Sequence, residues 1–202
     1  MPMELIILAG MPATGKSTIA TALCKAFGFP ILEKDDIKEA LFDTIGFENY
    51  PQKRQLDVAA CAVQLRVLES MLKAGNSLIL VNNFDGESAQ RLRRLIERYR
   101  PFCVTVFLSG QPKVLYERYI ERDRLHQRHL GHILQEHYPP HEGDSLDHIM
   151  TPEEFDEKFF KRGMDSFQCP GLRIDLDMTD PKTLDTAELI DRVQVLLNEH
   201  TI

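Results

Sequence analysis

The chain divides into short, unbroken apolar runs and longer stretches in which apolar residues recur every three or four positions. Residues 5–9 (LIILA), 77–81 (SLILV) and 102–108 (FCVTVFL) are continuous rather than alternating, which is the pattern of strands covered on both faces. Residues 29–34 (FPILEK) and 172–176 (LRIDL) read as two further strands. Between them, residues 16–27 have helical period and stop at Gly28. Residues 53–73 form a long helix with Leu56, Ala60, Val63, Val67 and Met71 on one face, widened by Leu65, Leu68 and Leu72. Residues 88–99 set Ala89, Leu92, Leu95, Ile96 and Tyr99 against a solvated face of Arg91, Arg93, Arg94 and Arg98. Asp36 is placed to cap a short helix beginning IKEALF, and residues 43–52 read as loop. Pro112 opens the helix after the fourth strand, and residues 185–198 close the chain with Asp185 and Glu188 as a capping box.

Strands alternating with helices predict an α/β fold, a five-stranded parallel sheet with helices on both faces. Residues 124–170 break the rhythm. They are rich in His and acidic residues, carry Pro139 and Pro140 back to back, and regain a helix signal only at Thr151–Glu154, another capping box. The reading is one domain over residues 1–202 with this stretch inserted before the last strand, a natural place for a lid.

Composition narrows the function classes. A formal charge of −7 argues against a general nucleic-acid or anionic-membrane surface, although a local basic groove is compatible with it. No apolar run reaches membrane-spanning length, and no basic segment precedes an apolar one at the N-terminus. Cys24, Cys61, Cys103 and Cys169 are dispersed and sit in apolar contexts, so free thiols in a reduced, cytoplasmic protein are expected.

The specific chemistry begins where the first strand ends. Gly10, Met11, Pro12, Ala13, Thr14, Gly15, Lys16, Ser17 and Thr18 spell G-x-x-x-x-G-K-S-T, a phosphate-binding loop between a strand and a helix. The two glycines let backbone N–H groups converge on an anion, Lys16 supplies a charge for the β- and γ-phosphates, and the Ser17 hydroxyl suits Mg²⁺. ATP with Mg²⁺ is the expected cofactor. Asp35 and Asp36 follow the second strand, at the sheet edge where such folds bind ligands, and Asp35 is the candidate base for an acceptor hydroxyl. The third strand ends in Asn82 and Asn83, where many phosphate-loop enzymes have an Asp near the metal; Asp36 or Asp85 could stand in. Asn82 and Asn83 could instead face the acceptor.

Together, GMPATGKST, EKDDIKEALF and RHLGH resemble the small P-loop kinases that include polynucleotide 5′-hydroxyl kinases, chloramphenicol phosphotransferase and the zeta-toxin group. The resemblance implies a strand order of 2-3-1-4-5, Asp35 as general base, and Lys38 as a substrate contact where polynucleotide kinases have Arg. It also implies that arginines of the helix after the fourth strand and of the lid clamp donor phosphates or the transition state. Arg122 and Arg128 lead that group, with Arg118 and Arg124 behind. His126, His129, His132, His137, His141 and His148 crowd the same region; a metal site there is imaginable, but no Cys joins them and a lid against nucleotide or substrate is the better reading. The expected activity is transfer of the ATP γ-phosphate to a hydroxyl of a small molecule. A polynucleotide 5′-hydroxyl acceptor and an ATP-binding regulator with little turnover are the alternatives.

Overall fold

A computed structural model describes residues 3–143 and 149–198. The strands are β1 (Glu4–Gly10), β2 (Ile31–Glu33), β3 (Leu78–Val81), β4 (Phe102–Ser109) and β5 (Leu172–Asp177). They form one all-parallel sheet in the order β2-β3-β1-β4-β5, with β1 at its centre. The α/β class, the five strands and their order all agree with expectation.

Strand pleating explains why β1 is apolar from Leu5 to Ala9. Ile6 and Leu8 face one side, where they meet Ile19, Ala20 and Leu23 of α1 (Lys16–Phe27) and Leu189, Val193 and Leu197 of α8 (Thr186–Asn198). Leu5, Ile7 and Ala9 face the other side, against Leu65, Leu68 and Leu72 of α3 (Tyr50–Lys73) and Ala89, Leu92 and Ile96 of α4 (Gly86–Tyr99). With both sides covered, the one charged residue, Glu4, stands at the partly exposed start of the strand.

Five local expectations are corrected. β2 is only Ile31–Glu33, because α2 (Lys34–Ile45) begins at once; Asp36 lies in its first turn and caps nothing. α3 starts at Tyr50 rather than residue 53, since the Asn49 side chain accepts from the Gln52 N–H and Pro51 suits the first turn. Val63 and Val67 are on the wet side of α3, and the buried face instead includes Gln64. The Gln64 amide donates to Leu32 O and Val81 O and accepts from Asn82 Nδ2, so a polar side chain joins the ends of β2 and β3. Asp85 is the cap of α4, accepting from the Ser88 N–H and hydroxyl and pairing with Arg162, and so is not a spare carboxylate for a metal.

After β4 come α5 (Pro112–Arg124), α6 (Leu130–Ile133) and α7 (Pro152–Phe155), the last with its Thr151–Glu154 capping box formed. A five-residue π-helical stretch, Asp156–Phe160, continues α7. Residues 149–164 pack through Met150, Phe155, Phe159 and Met164 on Leu115, Tyr119 and Ile120 of α5 and on Met11 beside the phosphate loop. The inserted stretch therefore has its own small core, built from scattered aromatics and methionines and so without a helical period to betray it. His148 lies outside the described residues.

Candidate functional site

The phosphate loop is fixed by backbone constraints before any ligand is considered. Gly10 holds φ +125°, and a Cβ there would lie 2.0 Å from Leu108 O, so only glycine fits between β1 and β4. Met11 N–H then reaches Leu108 O, and the Thr14 hydroxyl donates to Met11 O at 2.7 Å. Gly15, at φ +86°, turns the chain into α1, whose first turn has no acidic residue and whose cap makes no side-chain hydrogen bond. Its first N–H groups are left for an anion. Pro12, Ala13, Gly15, Lys16, Ser17 and Thr18 line a cavity of about 670 Å³, while Gly10, Met11 and Thr14 stand behind the loop and shape it. Lys16 Nζ folds onto Gly10 O (3.2 Å) and Met11 O (2.7 Å). Burial lowers its pKa to about 8 against the opposing pull of Asp35 and Glu33.

Ser17 Oγ donates to Glu33 Oε1 at 2.7 Å. Glu33 closes β2, and burial, more than its carboxylate neighbours Asp35 and Asp36, raises its pKa despite the Ser17 bond. A hydroxyl and a carboxylate side by side at the head of α1 are hard oxygen donors, a set that suits Mg²⁺. Glu33 thus offers, from β2, a carboxylate oxygen beside Ser17 that could help hold a metal. Asn82 does not: it is buried, gives its amide N–H to Gln64 and takes the Asn83 and Phe84 N–H groups on its oxygen. It does not line the cavity, whereas Asn83 and Asp36 do. Glu33 was readable as a carboxylate at the ligand edge of the sheet, but the adjacent Asp pair drew attention from it.

Asp35 sits in the first turn of α2 with its side chain 46% exposed toward the cavity and 3.8 Å from Lys34 Nζ. Desolvation would raise its pKa, but Lys34, His132, Lys38 and Arg128 outweigh it and hold the group at about 2. Asp35 is therefore anionic at any physiological pH. Lys38 lines the cavity too, but its ammonium is bound 2.9 Å from Asp57, which also holds Lys34 at 3.0 Å.

The arginines separate by role. Arg122 faces the cavity, and its guanidinium has no hydrogen-bond or ion-pair partner among the described residues. Arg128 also lines it, fixed by Asp123 at 2.7 Å and stacked 4.4 Å from the Tyr119 ring centre. Arg118 turns away: its guanidinium donates to Met178 O and Thr179 O after β5, which places it outside the cavity. Arg124 is exposed and does not line the cavity either. Two cations that sequence reasoning passed over, Lys158 and Arg162, reach the cavity from the π-helical stretch and just beyond it.

The RHLGH segment docks on α2 through paired groups. His129 accepts the Gly131 N–H on Nδ1, which leaves Nε2 to meet Asp43 at 2.9 Å; Tyr138 donates to the same carboxylate at 2.6 Å. His132 Nε2 lies 3.0 Å from Glu39. No group of three or more His, Cys, Asp or Glu among the described residues is arranged to hold a metal ion. Gly131 lies against Phe42, where a Cβ would come within 2.3 Å of the ring. Beneath this contact, the buried Lys53 ammonium donates to His132 O and Leu134 O. Burial, reinforced by Lys158, Lys38 and Arg128, depresses its pKa to about 6.

This lysine predicts a pH-dependent stability. The folded state sheds its proton above about pH 6, whereas the unfolded chain keeps it to about pH 10.4. The unfolded state thus binds more protons in that window, and stability rises with pH by up to about 1.4 kcal/mol per unit. Denaturant titrations from pH 6.5 to 9 should show the gap between wild type and Lys53→Met widening in favour of the wild type as pH rises. A gap independent of pH would mean that Lys53 stays charged when folded.

Solved structures share this arrangement of strands and helices. A candidate kinase from Chloroflexus aurantiacus is 23% identical, with a TM-score of 0.76 over 98% of this chain and 97% of its own. A gluconokinase from Sinorhizobium meliloti is 15% identical, with a TM-score of 0.57 over 99% and 97%. The Mycobacterium tuberculosis APS kinase, solved with AMPPNP and APS, is 19% identical, with a TM-score of 0.52 over 98% of each chain. These likenesses show the fold, a P-loop NTPase sheet. A search of curated proteins finds no match. A family model described as an AAA domain matches residues 5–140, two thirds of the chain and every element from β1 to α6, and the chain belongs to that AAA-domain family.

Proposed function

We propose that this protein is a kinase that moves the γ-phosphoryl group of ATP to a hydroxyl of a small molecule. One observation carries the reading: a single cavity brings together the phosphate loop, an anionic Asp35 and an unpartnered Arg122. Phosphoryl transfer asks a protein for little covalent work, but it needs the donor phosphates held, the acceptor oxygen aimed and the spreading charge met by cations. The loop N–H groups and Lys16 hold the β- and γ-phosphates. Asp35 accepts a hydrogen bond from the acceptor hydroxyl and points its oxygen at the γ-phosphorus. Arg122, with Arg128 behind it, faces the equatorial oxygens as charge builds. Ser17 and Glu33 would hold Mg²⁺, which when bound neutralises charge on the β- and γ-oxygens. Residues 124–170, as a lid, keep water from competing with the acceptor. That the gluconokinase and the APS kinase share the fold supports this reading, as does the motif resemblance to small P-loop kinases.

The cavity is small for a duplex end but basic, lined by nine lysines and arginines against five carboxylates in a chain of formal charge −7. Acceptor-stimulated ADP release across sugars, sugar acids, nucleosides, aminoglycoside- and phenicol-like compounds and a 5′-hydroxyl oligonucleotide tests the proposal. Stimulation by one small-molecule class is expected. Stimulation by the oligonucleotide alone, with steep salt dependence, would transfer the activity to nucleic acid.

ATP binding should itself depend on pH. Lys16 binds phosphate best as an ammonium, and its free-state pKa is about 8. Affinity is therefore flat below pH 8 and weakens by up to about tenfold per unit above it, with proton uptake on binding. Calorimetry in buffers of different ionisation enthalpy at pH 8.5 reads that uptake directly; none would mean Lys16 is already fully charged.

A further inference from the structure

Among the described residues, Lys158 has no carboxylate within ion-pair distance. Of the others in the cavity, Lys34 and Lys38 are answered by Asp57, Arg128 by Asp123, Arg162 by Asp85 and Lys53 by two carbonyls, while Arg54 is exposed to solvent on α3. Lys16 and Arg122 lie together beside Asp35, where the transferring phosphoryl group belongs. Lys158 enters the cavity from the π-helical stretch, over the Phe159 ring. Arg128, Asp57, Asp123 and Arg162 are the charges weighing most on it, and no carboxylate approaches its ammonium within 4.0 Å among the described residues.

Its position is built, not incidental. It lies within the π-helical stretch Asp156–Phe160, between Phe155 and Phe159, which are both buried. Their rings pack edge-on or tilted against Tyr119 at centroid distances of 5.4 and 5.5 Å. Such a one-turn π element reorients a side chain relative to an α-helix. Here the two aromatic anchors hold the backbone while Lys158 extends across the Phe159 ring, 5.5 Å from its centre, into the cavity. Burial, with Arg128 adding to it, lowers the Lys158 pKa to about 8, the state of an ammonium kept short of both water and a counter-ion.

We infer that the phosphoryl acceptor is itself anionic, a hydroxy compound bearing a carboxylate or a phosphate that Lys158 binds on the Asp57 side of the cavity. This rests on the kinase reading. In such a complex the acceptor spans two fixed points, its anion on Lys158 and its hydroxyl on Asp35. Lys158 then sets acceptor binding and specificity rather than the chemical step, and the acceptor's charge completes the ion pairing that the protein leaves open. A neutral polyol of the same length would leave the ammonium buried and unpaired.

The test has two arms, run on wild type, Lys158→Gln and Lys158→Arg, with thermal melts to check folding. In the first, the protein is loaded with Mg–AMPPNP and titrated calorimetrically with inorganic phosphate as a probe of the anion subsite. Binding to wild type is expected, weakened about 30-fold or more in Lys158→Gln and largely restored in Lys158→Arg. No binding, or equal binding in Lys158→Gln, overturns the inference. In the second, labelled γ-phosphate transfer is compared for matched pairs: glycerate and glycerol, gluconate and sorbitol, glucose 6-phosphate and glucose. Wild type should favour the charged member of one pair, and which pair separates carboxylate from phosphate. Lys158→Gln should raise the KM of that acceptor far more than it lowers kcat, collapsing the preference. Transfer to neutral acceptors without preference overturns the anionic class while leaving the kinase standing. Lys158-dependent phosphate binding with no transfer to any acceptor overturns the kinase reading, and the acceptor assignment falls with it.

Discussion

Asp35→Asn should lower kcat for phosphoryl transfer by about 10²–10⁴-fold, the range of a positioned general base, with little change in ATP affinity. The side chain is close to isosteric, so the first turn of α2 and its neighbours should persist. What is lost is charge. At a pKa of about 2 the native carboxylate is ionised across the working range, so in the proposed mechanism it would act less as a proton store than as a fixed acceptor that aims the hydroxyl oxygen. In a loose transition state the oxygen–phosphorus bond is little formed and the hydroxyl keeps its proton, which leaves only afterwards as the bond completes and the hydroxyl turns acidic, so a weak base suffices. The corollary is a kcat/KM profile without an acid limb from this residue between pH 5 and 8. A limb near pH 6 that vanishes in the variant would show that Asp35 is far more basic than its cationic neighbours Lys34, Lys38 and Arg128 allow. Desolvation of an Asn amide near Lys34 and Lys38 could also shift acceptor binding, so kcat and KM must be resolved separately.

The second large effect falls on Lys16. Lys16→Met keeps the hydrophobic stem and removes the only ammonium that the phosphate loop places on its own carbonyls, Gly10 O and Met11 O. ATP affinity and turnover should both drop, turnover by about 10²–10³-fold or more, as when a preorganised donor to a developing negative charge is deleted. Stability should not drop with them. The native lysine is held at a depressed pKa by burial, so replacing it relieves an unfavourable desolvation in the ligand-free protein. A melting temperature equal to or above wild type, with weakened nucleotide binding by calorimetry, is the expected pair of results. Native-like turnover would remove the phosphate loop from the mechanism.

Much of this arrangement was legible because local and global signals agree. Unbroken apolar runs marked a buried parallel sheet, and the Gly10-to-Ser17 spacing placed an anion site where β1 meets α1. Asp35, from its position after β2, and Arg122, from the kinase resemblance, were expected at the ligand edge, and both line the cavity. What stayed hidden depended on contacts between distant residues. Arg118 and Arg122 are one helical turn apart, yet one braces the carbonyls after β5 and the other faces the cavity, a difference fixed by the path of residues 177–179. Asn82 looked like a substrate contact because nothing nearby in sequence reveals Gln64 beneath it. Lys158 was invisible for a related reason: periodicity rules assume α-helical geometry, and the π-helical stretch changes which residues share a face.

The most direct test of the central claim is the fate of the terminal phosphate of γ-labelled ATP, followed with wild type and Asp35→Asn over the same acceptor series. The account predicts label on the hydroxyl oxygen of one small-molecule acceptor, with transfer by Asp35→Asn at least about 10²-fold slower at saturating ATP. Label appearing only as inorganic phosphate, at equal rates in the two proteins, would contradict it.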